Sequence, residues 1–358
     1  MSQLADLLAH LVEIGGSDLH LKPGSPPHVR VDGQLRAAPF EPVGPGVVEA
    51  VASEVLDAQH LDELERTGQT GSALSVPQVG RFRVAVHRQR GSLAMVVRRV
   101  PPEIPVLDEL GLPAQVARFA DESRGLVLVT GPSGSGKTTT VAALIDHINR
   151  TRACHVLTIE DPIEVLHHDV MSIVTQREIG SDTSTYADAL RNGLRQDADV
   201  IFVGELSDAD TARQALRAAE VGHLVLSTLR ASTTTEAITR LIELFPSDEQ
   251  DSIRQSLVSV LRGVACQRLL ERSDGGGRVV VAEVLVVTSK VVDVLAQDNR
   301  AGELERVIAD GQYHGMQSLD QALVERVQAG LVSVPDAIAA SSTPEDLRIA
   351  LSHAGFPG

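Results

Sequence analysis

Tryptophan is absent from the 358-residue sequence, and with six Phe and two Tyr the aromatic share is 2%. Stacking platforms for single-stranded nucleic acid are therefore poorly supplied. A formal net charge of −16 also argues against a nonspecific nucleic-acid partner, and none is expected. Only two cysteines occur, Cys154 and Cys266, too few for a disulfide framework or a zinc site. They read as small core residues in a reducing compartment. No stretch of eighteen apolar residues is present, and the start Met1-Ser-Gln-Leu-Ala-Asp-Leu7 lacks a basic region followed by an apolar one. The expectation is a soluble, cytoplasmic chain. What is plentiful is apolar aliphatic sequence: hydrophobic residues are 43% of the chain, enough at this length for two cores.

The informative stretch is Gly125-Leu-Val-Leu-Val-Thr-Gly-Pro-Ser-Gly-Ser-Gly-Lys-Thr-Thr-Thr140, an apolar strand running into a glycine-rich turn and then a helical pattern. Gly131, Gly136, Lys137 and Thr138 fill the spacing G-x-x-x-x-G-K-[ST], a P-loop. Glycines let the backbone come close, so that successive N–H groups across Ser133, Gly134, Ser135 and Gly136 and on into Lys137, Thr138 and Thr139 form an anion nest at a helix N-terminus. Lys137 is placed to reach the β- and γ-phosphates of ATP, and the Thr138 hydroxyl to ligate Mg²⁺. A connector that binds nothing would not need all four positions filled between a strand and a helix.

Around this stretch the pattern divides. Residues Leu4 to Ile14 have helical spacing, Ser17–Leu21 and His28–Asp32 read as strands, Val47 to Leu56 as a helix, and Arg81–His87 and Leu93–Arg98 alternate as strands. Residues 1–100 thus form an α+β domain. The prolines of Val100-Pro-Pro-Glu-Ile-Pro105 interrupt regular structure, which places a linker at 101–112. From 113 to 288 strands alternate with helices, the signature of a parallel sheet, and 289–358 reads as a helical region. Cys154–Ile159 leads to Glu160-Asp161, and Ala198–Val203 to Gly204-Glu205. Ligands of open parallel sheets sit beyond the strand carboxyl ends, which directs both acids to the nucleotide. Glu205 is the Walker-B-type acid, holding Mg²⁺ through water or polarising the attacking water. Glu160 is the general-base candidate. His223, at the start of another strand, is either a γ-phosphate sensor or a packed residue.

The residues also carry a family resemblance. Thr158-Ile-Glu-Asp-Pro-Ile-Glu164, Val174-Thr-Gln-Arg-Glu178, Ala189–Asp199, Val203-Gly-Glu205 and Ala219–Val225 resemble the type II/IV secretion ATPase superfamily, specifically type IV pilus retraction ATPases of the PilT/PilU type. Ser17–Leu21, Val29–Gly33 and Gly315–Asp320 are similar to the ends of the same family, so nearly the whole chain is covered. The resemblance implies a PAS-like N-terminal domain followed by a RecA-like ATPase domain with a C-terminal helical extension. It further implies a cytoplasmic homo-hexamer that meets the membrane only through an inner-membrane pilus platform protein. By the same resemblance Glu160 matches the catalytic base, Glu205 the Walker B acid, and His223 the first histidine of the His box. Arg83 and Arg98 match N-terminal-domain arginines that reach the phosphates, and only the resemblance singles them out.

Three departures stand out. Arg230 replaces the second His-box histidine, Ser207 replaces a basic residue, and Val291–Asp298 replaces the segment linked to retraction. The expected function is an ATP-hydrolysing pilus motor. The alternatives are a nucleotide-binding accessory ring subunit and a related secretion or DNA-uptake ATPase.

Overall fold

In the computed structural model, which describes residues 3–31, 33–100, 104–297 and 301–356, the chain forms two units, Met1–Glu103 and Ile104–Gly358. Asp32, Asp298 and positions 101–103 of the expected linker lie outside the described residues.

Short alternating segments build the first unit. Its strands β1 (Asp18–Leu21), β2 (His28–Val31), β3 (Gln34–Ala37), β4 (Gln69–Val76), β5 (Gly80–Gln89) and β6 (Ser92–Arg99) form a sheet in the order β3-β2-β1-β6-β5-β4. Every neighbouring pair is antiparallel. Helices α1 (Gln3–Glu13), α2 (Pro45–Val55) and α3 (Ala58–Thr67) set Leu4, Leu7, Leu8, Leu11, Val48, Val51 and Leu64 against Leu19, Phe82, Val84, Val86 and Val97 in one core. Inward residues on β5 are two apart, as the pleat requires.

The expected linker is not linker throughout. Leu107–Leu110 make a 3-10 turn, and the buried Leu107 belongs to the second unit's core. Proline ends regular structure locally, but an apolar residue two positions further on is free to dock.

The second unit contains strands β7 (Gly125–Thr130), β8 (His155–Glu160), β9 (Ile173–Glu178), β10 (Val200–Val203), β11 (Leu224–Leu229), β12 (Leu261–Glu271) and β13 (Arg278–Val286). Their order is β13-β12-β7-β11-β10-β8-β9, parallel except for the antiparallel β12–β13 pair. Its helices are α4 (Ala114–Arg118), α5 (Lys137–Thr151), α6 (Tyr186–Gly193), α7 (Ala209–Glu220), α8 (Thr234–Glu243), α9 (Gln250–Val260), α10 (Ser289–Leu295), α11 (Ala301–Ala309), α12 (Leu319–Gln328), α13 (Val334–Ala340) and α14 (Pro344–His353).

Both faces of this sheet are covered, which is why its strands are apolar without alternation. Leu126 and Leu128 join Leu157, Ile159, Ile201 and Val225 in a core that includes Ala212 and Leu216 of α7, while Val127 and Val129 join Val156, Phe202 and Leu226 against Val141, Leu144 and Ile148 of α5. Each fully buried aliphatic side chain is worth roughly 1.5–3 kcal/mol relative to exposure, so β7 is held firmly from both sides. Val279 and Val281 of β13 pack with Leu323 of α12, Ala337 of α13 and Leu347 of α14 in a further cluster. No helix among the described residues is long and apolar enough to cross a membrane.

Candidate nucleotide-binding and catalytic site

Strand order brings the candidate residues together. β7, β11, β10 and β8 are consecutive and parallel, so the segments after their carboxyl ends share one edge. The glycine-rich loop follows β7, Arg230 follows β11, Glu205 follows β10, and Glu160 ends β8.

The loop's glycines answer specific geometry. Gly131 has φ 144°, and a Cβ there would lie 2.3 Å from the Gln267 carbonyl oxygen and 2.4 Å from Ser135 Oγ. Gly136 has φ 90° and opens α5. Thr185, Asp208 and Thr233 cap α6, α7 and α8 through their side chains, whereas α5 begins with no side-chain cap. Its first N–H groups are therefore available to an anion. Ser133, Gly134 and Thr139 are exposed, Gly136, Lys137 and Thr138 are half-buried, and Ser135 is buried with its Oγ unpaired. Lys137 Nζ donates to the carbonyls of Gly131 and Pro132, each at 2.9 Å. Burial draws its pKa below the usual lysine range, with Glu205 opposing and Arg230 reinforcing that shift, so all three charges act on one locale.

Glu205 is held by the end of its strand. Gly204 N–H donates to the Ile159 carbonyl (2.9 Å), Leu206 N–H to the Thr228 carbonyl (3.0 Å), and the Thr228 hydroxyl to the Gly204 carbonyl (2.5 Å). Its carboxylate accepts from Arg230 Nε at 2.9 Å, with side chains 32% and 66% exposed. The pairing of the Walker-B-type acid with the residue that departs from the His box is not legible in the sequence. Glu160 is 7% exposed, and its Oε1 accepts from the Thr158 hydroxyl (2.7 Å) and Gln176 Nε2 (3.0 Å). Burial raises its pKa above the usual carboxylate range, against those donors and the Glu164 main-chain N–H.

One expectation changes. His223 precedes β11, whose register sets Leu224 beside Gly125 and Leu229 beside Thr130. It therefore stands at the opposite end of the strands from the glycine-rich loop, about 20 Å away for a six-residue strand. Its Nδ1 meets the Ala198 carbonyl at 2.6 Å, a packed and hydrogen-bonded residue and not a phosphate sensor of this site. Arg83 and Arg98 lie in the first unit, opposite each other in register on β5 and β6, and Arg98 Nε donates to Asp18 Oδ1 at 2.7 Å. Arg98 is thus ion-paired with Asp18 within its own unit, with its side chain 65% exposed. Sequence reading missed Gln267, whose Nε2 donates to the Ser135 carbonyl at 2.7 Å and braces the loop from β12.

The donor set suits Mg·ATP. No group of three or more His, Cys, Asp or Glu among the described residues can cage a metal, whereas Mg²⁺ prefers one or two protein oxygens together with phosphate oxygens and water. Thr138 and Glu205 supply such oxygens beside the nest.

Comparisons with known proteins give the family. The family model for the type II/IV secretion system protein matches residues 3–339. PilT of Pseudomonas aeruginosa, the type IV pilus retraction ATPase, is 39% identical over 343 residues, covering 96% of this chain and 99% of PilT. The chain belongs to the type II/IV secretion family, as a PilT-type ATPase. The pilus ATPase PilU of the same organism is 37% identical, covering 96% of this secretion ATPase and 90% of PilU. The crystal structure of the pilus retraction motor PilT with bound ADP matches with TM-score 0.88 at 41% identity, over 97% of this chain and 98% of that one. The Legionella pneumophila ATPase DotB matches with TM-score 0.83 at 25% identity, over 98% and 95%.

Proposed function

We propose that this chain is the Mg·ATP-hydrolysing subunit of a homo-hexameric type IV pilus retraction motor, cytoplasmic and docked on an inner-membrane platform protein. The observation that carries the reading is the glycine-rich nest sharing one sheet edge with Glu160 and Glu205, in a chain that matches PilT over 96% of its length. Lys137 and the α5 N-terminus bind the phosphates. Thr138 and Glu205 hold Mg²⁺, which when bound neutralises charge on the β- and γ-phosphate oxygens. Glu160 accepts the proton of the attacking water, and Arg83 and Arg98 supply guanidinium donors to the developing charge. Steady-state phosphate release with Mg·ATP tests this: Lys137→Ala and Glu205→Ala each lose about 10²-fold or more in kcat. Wild-type protein that binds ATP but releases no more phosphate than these variants removes the motor reading.

The Arg230–Glu205 pair gives a second reading some ground. A metal-site acid engaged by a permanent cation suits an accessory ring subunit that binds nucleotide for assembly, and the same measurement separates the two.

A further inference from the structure

The general-base reading of Glu160 leaves open what aims and ionises a carboxylate that is almost wholly buried. β8 and β9 are parallel with Thr158 beside Gln176 and Glu160 beside Glu178, so these four side chains share one face of the sheet. Gln176 Nε2 donates to Glu160 Oε1 at 3.0 Å and to the Val165 carbonyl at 2.8 Å, and Gln176 Oε1 accepts from the His167 main-chain N–H at 2.8 Å. Both amide hydrogens and the amide oxygen are thus used. The reverse orientation of the amide would turn its oxygen toward a carboxylate and a carbonyl, so the network permits one orientation. The amide connects Glu160 to two points on the segment that follows it in sequence. Together with the Thr158 hydroxyl and the Glu164 main-chain N–H, it leaves the carboxylate room for about one more donor out of roughly four lone-pair sites. A water is such a donor.

We propose that Gln176 is a positioning residue for Glu160, fixing the orientation in which the carboxylate takes a proton from water and locking the 161–168 segment to that orientation. The chemistry favours an amide at this place. A lysine or arginine would form an ion pair and leave a poor base, whereas a leucine would offer no donor against burial. A neutral donor keeps the carboxylate ionised and basic together. The other titratable groups around Glu160 are Glu164 and Asp161 on its own loop, Glu178 beside it on β9, Glu205 after β10, and Tyr186 on α6. Glu164 acts to raise the Glu160 pKa, and Glu178 is occupied by the Ile163 N–H at 3.0 Å. The Lys137 cation acts on Glu164 and Glu205, and the donors held on the ionised carboxylate itself are Thr158, Gln176 and the Glu164 main chain.

The proposal rests on Glu160 being the base, and the test separates the two claims. Full-length wild type, Glu160→Gln, Gln176→Leu and Gln176→Glu are assayed for phosphate release with Mg·ATP across pH about 5 to 9. An acid whose folded pKa is raised acts as a base only above that pKa, so activity falls as pH falls through it. Removing the Gln176 donor raises that pKa further. Gln176→Leu moves the acid limb of kcat upward by about one pH unit and lowers the plateau about tenfold, with KM for ATP within about twofold. Gln176→Glu, nearly isosteric, moves the limb further up because it adds a like charge. It carries the test alone if the leucine variant does not fold. An acid limb at the wild-type position in the folded Gln176 variants, with Glu160→Gln inactive, overturns the positioning role and leaves Glu160 as the base. Glu160→Gln at wild-type turnover overturns both.

Discussion

At the scale of single residues the site depends on where charges are held. Arg230 forms an exposed pair with Glu205, and pairs of that kind contribute about 0–1 kcal/mol to stability. Arg230→Ala is therefore expected to leave the urea unfolding midpoint nearly unchanged. Because Arg230 shares its locale with Lys137 and Glu205, the same variant is expected to lower kcat for ATP about tenfold or more, as loss of a cation beside a transferring phosphoryl group does. Wild-type turnover in Arg230→Ala would reduce the pair to a surface contact. The two cysteines behave as the composition suggests: Cys266 is buried, its thiol pushed up to about 12 by burial, and Cys154 is half-buried with its sulfur 3.2 Å from Ser172 Oγ.

At the scale of elements, α8 carries forward the loop that contains Arg230 and is anchored from β13. The buried Glu283 Oε1 accepts both the Thr234 main-chain N–H (2.6 Å) and the Thr234 hydroxyl (2.5 Å). Thr234→Val removes the hydroxyl and leaves the buried carboxyl with the Thr234 and Leu319 main-chain donors, an expected cost of about 1.5–3 kcal/mol in urea unfolding. A cost near zero would mean that the main-chain donors of Thr234 and Leu319 suffice for Glu283. The elements nearest the glycine-rich loop were legible because each signal is local: an apolar run, a turn spacing, a helix opening on Lys137. Strand β12 was not. Helix α9 ends at Val260, and β12 starts on the next residue without a turn to announce it. Strand β9 and helix α8 were likewise hidden by mixed polarity. Position within a sheet is not a local property, which is why His223 read as a site residue although register sends it to the far end of β11. The partners of Glu160 and Glu205 needed the strand order before they could be seen.

At the scale of the whole molecule, the two units have separate cores, Leu4 to Val97 in one and Leu107 to Leu351 in the other. A fragment starting at Ile104 is expected to unfold cooperatively and to bind nucleotide, with Mg·ADP raising its Tm. Without the first unit's Arg83 and Arg98 its phosphate release is expected to fall about 10²-fold or more. A fragment as active as the full chain would remove those arginines from the chemistry. Strand β12 has a consequence for force. Consecutive residues on a strand point to opposite faces, and here Gln267 grips the Ser135 carbonyl while Arg268 donates to the Ala340 carbonyl at the end of α13. The phosphate-binding turn and the C-terminal helices are thus fastened to adjacent rungs of one stiff rod. A single peptide unit separates the two fastenings, so nucleotide at the turn and load on the tail both bear on β12.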